Sequence, residues 1–180
     1  MKCLSMLLII NLLAIFSVYS QGPVNNFKLE ESALIWQKVY ETPMTFQQLI
    51  DRVKDSGVIK TLEIREGKLT GDLNLVPFDY VGAGYKNLNT PMYMIADNFS
   101  AFVIIDYQEG KYRVTAKKIE INCMESTPFS KKGDIIQGEA GALNNSKTEF
   151  RKSFHNAPSI IWNYTFSTIF DLKEKAKENW

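Results

Sequence analysis

Reactive side chains are scarce in this chain, which holds one histidine, His155, and two cysteines, Cys3 and Cys123. A thiol beside an imidazole is a minimal nucleophilic site, so Cys123 with His155 is the pairing that would make an exported hydrolase. That chemistry needs the two side chains within hydrogen-bond reach and a third group orienting the ring, and neither residue sits in a recognisable catalytic context. Cys123 directly follows the strand-like Glu120-Ile121-Asn122 and reads as a half-buried structural cysteine, while His155 reads as a surface residue beside Asn156.

A lone histidine rules out histidine clusters for metal, and no Gly-x-Ser-x-Gly elbow occurs. Gly82-Ala83-Gly84 and Gly138-Glu139-Ala140-Gly141 lack the third glycine or the Lys-Ser/Thr of a phosphate cradle, so both read as turns. Asp106 and Glu109 are acidic neighbours at a hairpin tip, where nothing implies the burial that would split their pKa values for acid/base work. Lys117 and Lys118 read as an exposed rim. The sequence thus assigns no catalytic, cofactor-binding or metal-binding residue.

What positions these residues begins with export. Lys2 precedes an apolar run from Leu4 to Val18, interrupted at Ser5, Asn11 and Ser17, the plan of a signal peptide and too short and broken for a membrane span. Val18-Tyr19-Ser20 places cleavage after Ser20, so residues 1–20 are a signal peptide and the mature chain, periplasmic or secreted, starts at Gln21. Cys3 lies before the apolar core, the wrong place for a lipid anchor. Cleavage removes Lys2 and no acid, turning 21 basic and 20 acidic residues into 20 of each. A neutral chain lacks the basic excess with which nucleic-acid binders displace counterions, which argues against such a partner. The 45% hydrophobic and 12% aromatic content supports a real core rather than disorder. With Cys123 alone, no internal disulfide forms and packing must supply the stability.

Residues 21–30 read as a flexible lead-in and 31–180 as one α+β domain. Ala33 to Tyr40 is a first strand, with Leu34, Trp36 and Tyr40 on one parity. Thr45 or Thr42 can cap a short helix, with Gln48 three residues after Thr45 completing a weak capping box; its apolar stripe is Phe46, Leu49, Ile50 and Val53 and its stop is Ser56-Gly57. Val58 to Arg65 and Leu69 to Val76 alternate about Glu66-Gly67-Lys68, with Leu62, Ile64, Leu69, Leu73 and Leu75 as the inward set. Phe99 to Tyr107 and Lys111 to Ile121, joined through Gln108-Glu109-Gly110, predict the central hairpin; Phe102 and Ile104 make its first strand apolar on both sides, as for a strand covered twice.

Elsewhere the pattern weakens. Met92-Tyr93-Met94-Ile95 offers a short strand, and Glu125 to Asn156 is a long Gly/Ser/Asn-bearing segment with an apolar island at Ile135-Ile136 that leaves room for one further strand. Pro158 to Glu178 reads as a long helix capped by Asn156, its stripe running through Trp162, Phe166, Ile169, Phe170, Leu172 and Ala176. Ile160 and Tyr164 fall opposite that stripe and need a second neighbour. Sequons begin at Asn98, Asn144 and Asn163, which matter only in a eukaryotic secretory pathway.

The order of these elements, together with Tyr107-Gln108-Glu109-Gly110-Lys111-Tyr112-Arg113-Val114, resembles a family of exported Bacteroidetes-type proteins. That family is an uncharacterised domain described as TBP-like, whose members often carry an x-D-G-R/K-Y-R-Y/V hairpin; Glu109 stands here where Asp is common. The likeness spans about Ile35 to Ile121, with the closing helix in support. It implies a helix-on-antiparallel-sheet domain and brings no catalytic residues. TBP-like describes a shape, and neutral charge argues against carrying DNA binding over. Within the motif, Arg113 points away from Tyr112 and Val114 and can pair with an acid on a neighbouring strand.

The reading is therefore an α+β domain, a curved antiparallel sheet with the Thr45–Ser56 and Pro158–Glu178 helices on one face. It serves as an exported, non-enzymatic binding or envelope-associated module for an unknown protein or apolar ligand, with Ile160 and Tyr164 as the partner-facing pair. The alternative is an apolar small-molecule or lipid carrier with a cavity between helix and sheet. The third is the Cys123/His155 hydrolase.

Overall fold

The computed structural model describes residues 24–127 and 130–172. The expected signal segment, its cleavage site and the helical tail from Lys173 to Glu178 lie outside these residues. In chain order the elements are β1 (Phe27–Glu30), β2 (Ala33–Glu41), α1 (Phe46–Ser56), β3 (Ile59–Arg65), β4 (Lys68–Pro77), α2 (Met92–Ala96), β5 (Asn98–Gln108), β6 (Lys111–Asn122), β7 (Ile135–Gln137), α3 (Gly138–Ala142) and α4 (Ala157–Ile169). The strands form one open antiparallel sheet in the order β1-β2-β6-β5-β4-β3, with β7 paired to the far end of β6. The architecture is α+β with helices packed on the sheet, as expected.

The β5–β6 hairpin occupies the middle of the sheet and closes tightly from Asn98↔Asn122 to Gln108↔Lys111. Gly110 takes φ +82° at its turn, a conformation that a side chain would strain. Phe99, Val103 and Ile105 of β5 and Val114 and Ala116 of β6 are fully buried on one face, in a cluster shared with Leu49 and Val53 of α1 and Trp162 and Phe166 of α4. Each large apolar side chain so buried contributes on the order of 1.5–3 kcal/mol. The other face is not covered. Phe102 and Ile104 are only half-buried there, because both main helices lie on the Phe99 side, so the doubly covered strand of the sequence reading is covered once.

Helix α1 forms as read. Thr45 accepts the Gln48 amide, the Gln48 side chain accepts the Thr45 amide, and left-handed Gly57 ends the helix. The β3–β4 hairpin departs from simple alternation. Bulges at Thr61 and Leu75, both at positive φ, break the register; Leu75 ends up exposed at its bulge, and Ile64, though paired with buried Leu69, is exposed on edge strand β3, while Ile59, Leu69 and Leu73 stay inside.

The described part of the lead-in is not loose. Phe27 is fully buried, and β1 pairs with β2. Asn25 and Asn26 take positive φ, which asparagine tolerates, and their amides donate to Ser159 Oγ and Asn163 Oδ1 of α4 at 2.8 Å each. Met92–Ala96 is a helix, not a strand. Pro91 opens it and Met94 is its one buried residue. The Ile135-Ile136 island supplies the unplaced strand, pairing with Ile121 and Asn122. Gly138–Ala142 is a helix rather than a turn, wedged where β2 and β6 part. A Cβ on Gly138 would lie 2.9 Å from the Ile119 carbonyl oxygen, so the wedge fits only with glycine. Glu139 Oε1 then accepts the Leu34 amide at 2.9 Å, continuing the hydrogen bonding of β2 with a side chain.

Helix α4 stops at Ile169 instead of running to Glu178. The buried Tyr112 hydroxyl donates to the Phe170 carbonyl at 2.8 Å and accepts the Leu172 amide at 3.1 Å, diverting the two groups that would extend the helix. Burial pushes the Tyr112 pKa up to about 12, so the phenol remains a donor at neutral pH. At the other end Pro158 occupies the first turn, but Asn156 makes no capping bond; it sits at φ −93°, ψ −140°.

Tyr112→Phe removes the hydroxyl from a Phe170 carbonyl and Leu172 amide that are also joined to each other at 3.0 Å, a loss of about 0.5–1.5 kcal/mol. Calorimetry is expected to show a Tm about 1–6 °C lower, and an unchanged Tm would contradict the clamp.

Candidate functional site

The residues singled out for nucleophilic chemistry differ in burial and share no hydrogen bond among the described residues. Cys123 is buried at the end of β6, its amide donating to Asp134 O and its carbonyl accepting from Gly133, so it holds the following turn. His155 is exposed before α4, its ring edge-on to Phe150 at 6.2 Å. No hydrogen bond joins the thiol and the imidazole among the described residues, and none of those residues form a group of three or more His, Cys, Asp and Glu able to hold a metal. No helix of the described residues is long and apolar enough to cross a membrane. The sequon asparagines Asn144 and Asn163 are engaged: Asn144 Oδ1 accepts the Thr148 amide, and Asn163 Oδ1 accepts Trp36 Nε1 at 3.0 Å and Asn26 Nδ2 at 2.8 Å.

The space expected to form a cavity between closing helix and sheet is filled by rings. Trp36 stacks on Phe166 at 4.9 Å, Phe99 meets Phe166 edge-on at 5.0 Å, and Phe78 lies 5.5 Å from Trp162. Trp162 Nε1 is buried in this cluster with no acceptor. Ile160 and Tyr164 do fall on the outward side of α4, at 39% and 36% exposure. The second neighbour of Tyr164 is the Gly82 turn, so close that a Cβ on Gly82 would lie 2.6 Å from the tyrosine ring. That turn is fixed by Asp79, whose amide donates to Thr165 Oγ1 and whose carboxyl accepts the Gly82 amide.

Two of the recesses among the described residues have apolar floors or walls. On the uncovered sheet face, Ile35, Phe102 and Ile104 floor a shallow groove of about 960 Å³ whose rim mixes Lys117 and Lys118 with Glu30, Glu31 and Glu139. Lys118, at φ +49°, is the bulge where β6 changes register against β5. Its mixture of signs favours no one partner.

The second recess, about 590 Å³, lies beside α2. Met92, Tyr93 and Ala96 of α2 form one side, Ile136 of β7 lines the recess as well, and Ser126, Thr127 and Ser130 form the lip. Its walls are mainly apolar, with few polar groups. Lip hydroxyls are engaged in their own turn: Thr127 and Ser130 bond each other at 3.0 Å, and Ser126 Oγ accepts the Lys132 amide. Asp97, 6% exposed at the C-terminal end of α2, accepts the Met124 amide through Oδ1. The Tyr93 ring packs edge-on against Phe78, and its hydroxyl makes no hydrogen bond among the described residues. Burial pushes the pKa of that phenol up, with no charged or hydrogen-bonding neighbour contributing. This arrangement offers binding chemistry, an apolar wall with a few polar groups, rather than a reacting pair. Sequence reasoning missed it because a strand assignment puts Tyr93 and Asp97 on one side of a flat ribbon, whereas a helical turn brings them together at i, i+4 spacing.

No family model matches the chain, and no curated protein matches it. Among solved structures, it is similar to a TBP-like protein from Parabacteroides distasonis at 14% identity and a TM-score of 0.52, covering 83% of this chain and 97% of that one. A DUF4468 family protein from Bacteroides ovatus is similar at 13% identity and a TM-score of 0.39, covering 84% of each chain. At such identity the first likeness speaks for the fold alone, and that fold is the TBP-like one the sequence resemblance implies.

On the open face, Asp106 stands between Lys68 of β4 at 3.3 Å and Arg113 of β6 at 2.9 Å, the cross-strand pairing expected for Arg113. Burial pulls the Asp106 pKa up, but the hydrogen bonds from Arg113 and Lys68 outweigh it and hold the carboxyl below its ordinary value. A lowered folded pKa gives stability that is full above the ordinary Asp range, near pH 4, and fades as pH falls through the folded value. Because both cations are about half exposed, the row is worth less than about 1 kcal/mol. Asp106→Asn is expected to unfold slightly more easily than the parent at pH 7 in urea, with the gap closing in acid and in high salt; a gap that widens in acid would refute the pairing.

Proposed function

We propose that the protein is an exported, non-enzymatic binding module that holds a small apolar molecule in the recess beside α2. The observation that carries this reading is the recess itself: about 590 Å³, mainly apolar in its walls, with a tyrosine hydroxyl that makes no hydrogen bond among the described residues. Ligand sites usually fall in the range of about 300–1,000 Å³ with a few placed polar groups. Export to the periplasm or medium is supported by Lys2 and the Leu4–Val18 apolar run. Cys123 and His155 share no hydrogen bond among the described residues, which weighs against the hydrolase, and a neutral mature charge weighs against nucleic acid. Compared with the carrier expected from sequence, the ligand lies at the sheet's end instead of beneath the closing helix.

A second reading, docking of a protein partner through Ile160 and Tyr164, draws support from their exposure beside Val81, which is 67% exposed. A photo-crosslinker at position 160 in the native host is expected to yield one discrete adduct under this reading; labelling of water alone argues against it.

Native mass spectrometry of protein purified from its own export route tests the main reading. The expected spectrum has a chain beginning at Gln21 and carrying a small apolar adduct that Ala96→Trp, which fills the recess, removes. An unloaded chain whose affinity for an apolar fluorescent dye is untouched by Ala96→Trp would overturn it.

A further inference from the structure

The chemistry of the recess narrows its ligand further, and this step rests on the reading just given. Of the described residues that line it, Asp97 is the one charged group; no lysine or arginine contributes to the wall. Asp97 is almost wholly buried, and the structure gives it one side-chain hydrogen bond, from the Met124 amide to Oδ1, so Oδ2 makes no hydrogen bond among the described residues. Tyr93, four residues earlier on the same helical turn, also brings an unpartnered hydroxyl to the wall. An acid oxygen accepts only, and a phenol both donates and accepts. A ligand that satisfies them must therefore supply a hydrogen-bond donor, and an anionic head would meet a buried acid with no cation to offset it.

We propose that the recess selects amphiphiles with one apolar body and one donor head, a primary alcohol or a protonated amine, and rejects apolar anions such as fatty carboxylates. Asp97 Oδ2 receives the donor, Tyr93 completes the contact, and Met92, Ala96 and Ile136 bury the apolar body. The hydroxyls of Ser126, Thr127 and Ser130 are engaged in hydrogen bonds of their own and do not read the head.

Octanol, octylamine and octanoate share one apolar body and differ only in the head, so calorimetric titration of the mature chain with each separates the possibilities. Octanol and octylamine are expected to bind, with octanoate at least about tenfold weaker, in line with the cost of leaving a charged group unpaired. Asp97→Asn keeps a carbonyl oxygen for the Met124 amide, so the fold is retained, and is expected to weaken octylamine by about tenfold while changing octanol by less. Tyr93→Phe is expected to weaken both. Equal binding of octanoate and octylamine, or no effect of Asp97→Asn on octylamine, would overturn this inference and leave the apolar binding module standing. Failure of all three compounds to bind would overturn the binding module with it.

Discussion

Everything in this fold depends on the seam where α4 lies on the sheet. Trp36, Phe99, Trp162 and Phe166 form a contiguous set of ring contacts with centroids about 5–6 Å apart, and such pairs add about 0.5–1.5 kcal/mol each beyond their buried area. Apolar contact alone would let a short helix slide. Polar ties set its position: Asn26 and Trp36 reach Asn163 near the middle, Asn25 reaches Ser159 at the start, and Tyr40 and Tyr112 bind the backbone at Ser167 and Phe170 at the end. The helix is thereby fixed in register against β1, β2 and β6 together. One cost is visible at Trp162, whose indole N–H is buried without an acceptor, an expense of about 1–3 kcal/mol that the surrounding ring contacts must exceed.

The helices that fill that seam all lie on one side, and the other side of the sheet is left to solvent. Phe102 and Ile104, apolar but half-buried, floor an open groove whose rim balances lysines against glutamates. The mainly apolar recess appears instead at the sheet's end, where β7 pairs with β6, beside the short α2. Its described walls come from Met92, Tyr93, Ala96 and Asp97 on one side and from Ser126, Thr127, Ser130 and Ile136 on the other.

The sequence revealed those parts whose local chemistry and tertiary role agree. Thr45, Gln48 and Gly57 write the start and stop of α1 in side chains that act within one turn, and Gly110 with its flanking alternation defines the central hairpin. It concealed the parts whose role is set from far away. Asn25 and Asn26 looked like loop residues, and only their partners on α4 make them structural. The end of α4 is dictated by Tyr112, some sixty positions earlier in the chain, against a local composition that favours continued helix. A bulge left Leu75 outside, because a period-two pattern cannot register an inserted residue, and Ile64 is exposed because its strand is the sheet edge. The recess was hidden for a related reason: Met92 to Ile95 is equally apolar as strand or helix, and only the helix gathers Tyr93 and Asp97.

The central claim is therefore spatial, that the helix–sheet seam is closed and the ligand site lies beyond it. It is tested most directly by a ¹H–¹⁵N correlation spectrum recorded while octanol is added to isotopically labelled protein. The account predicts progressive shifts at Tyr93, Ala96, Asp97 and Ile136, with the indole signals of Trp36 and Trp162 unmoved. Shifts of those two indoles together with Phe166, and none at α2, would show that the seam opens to ligand and would contradict it.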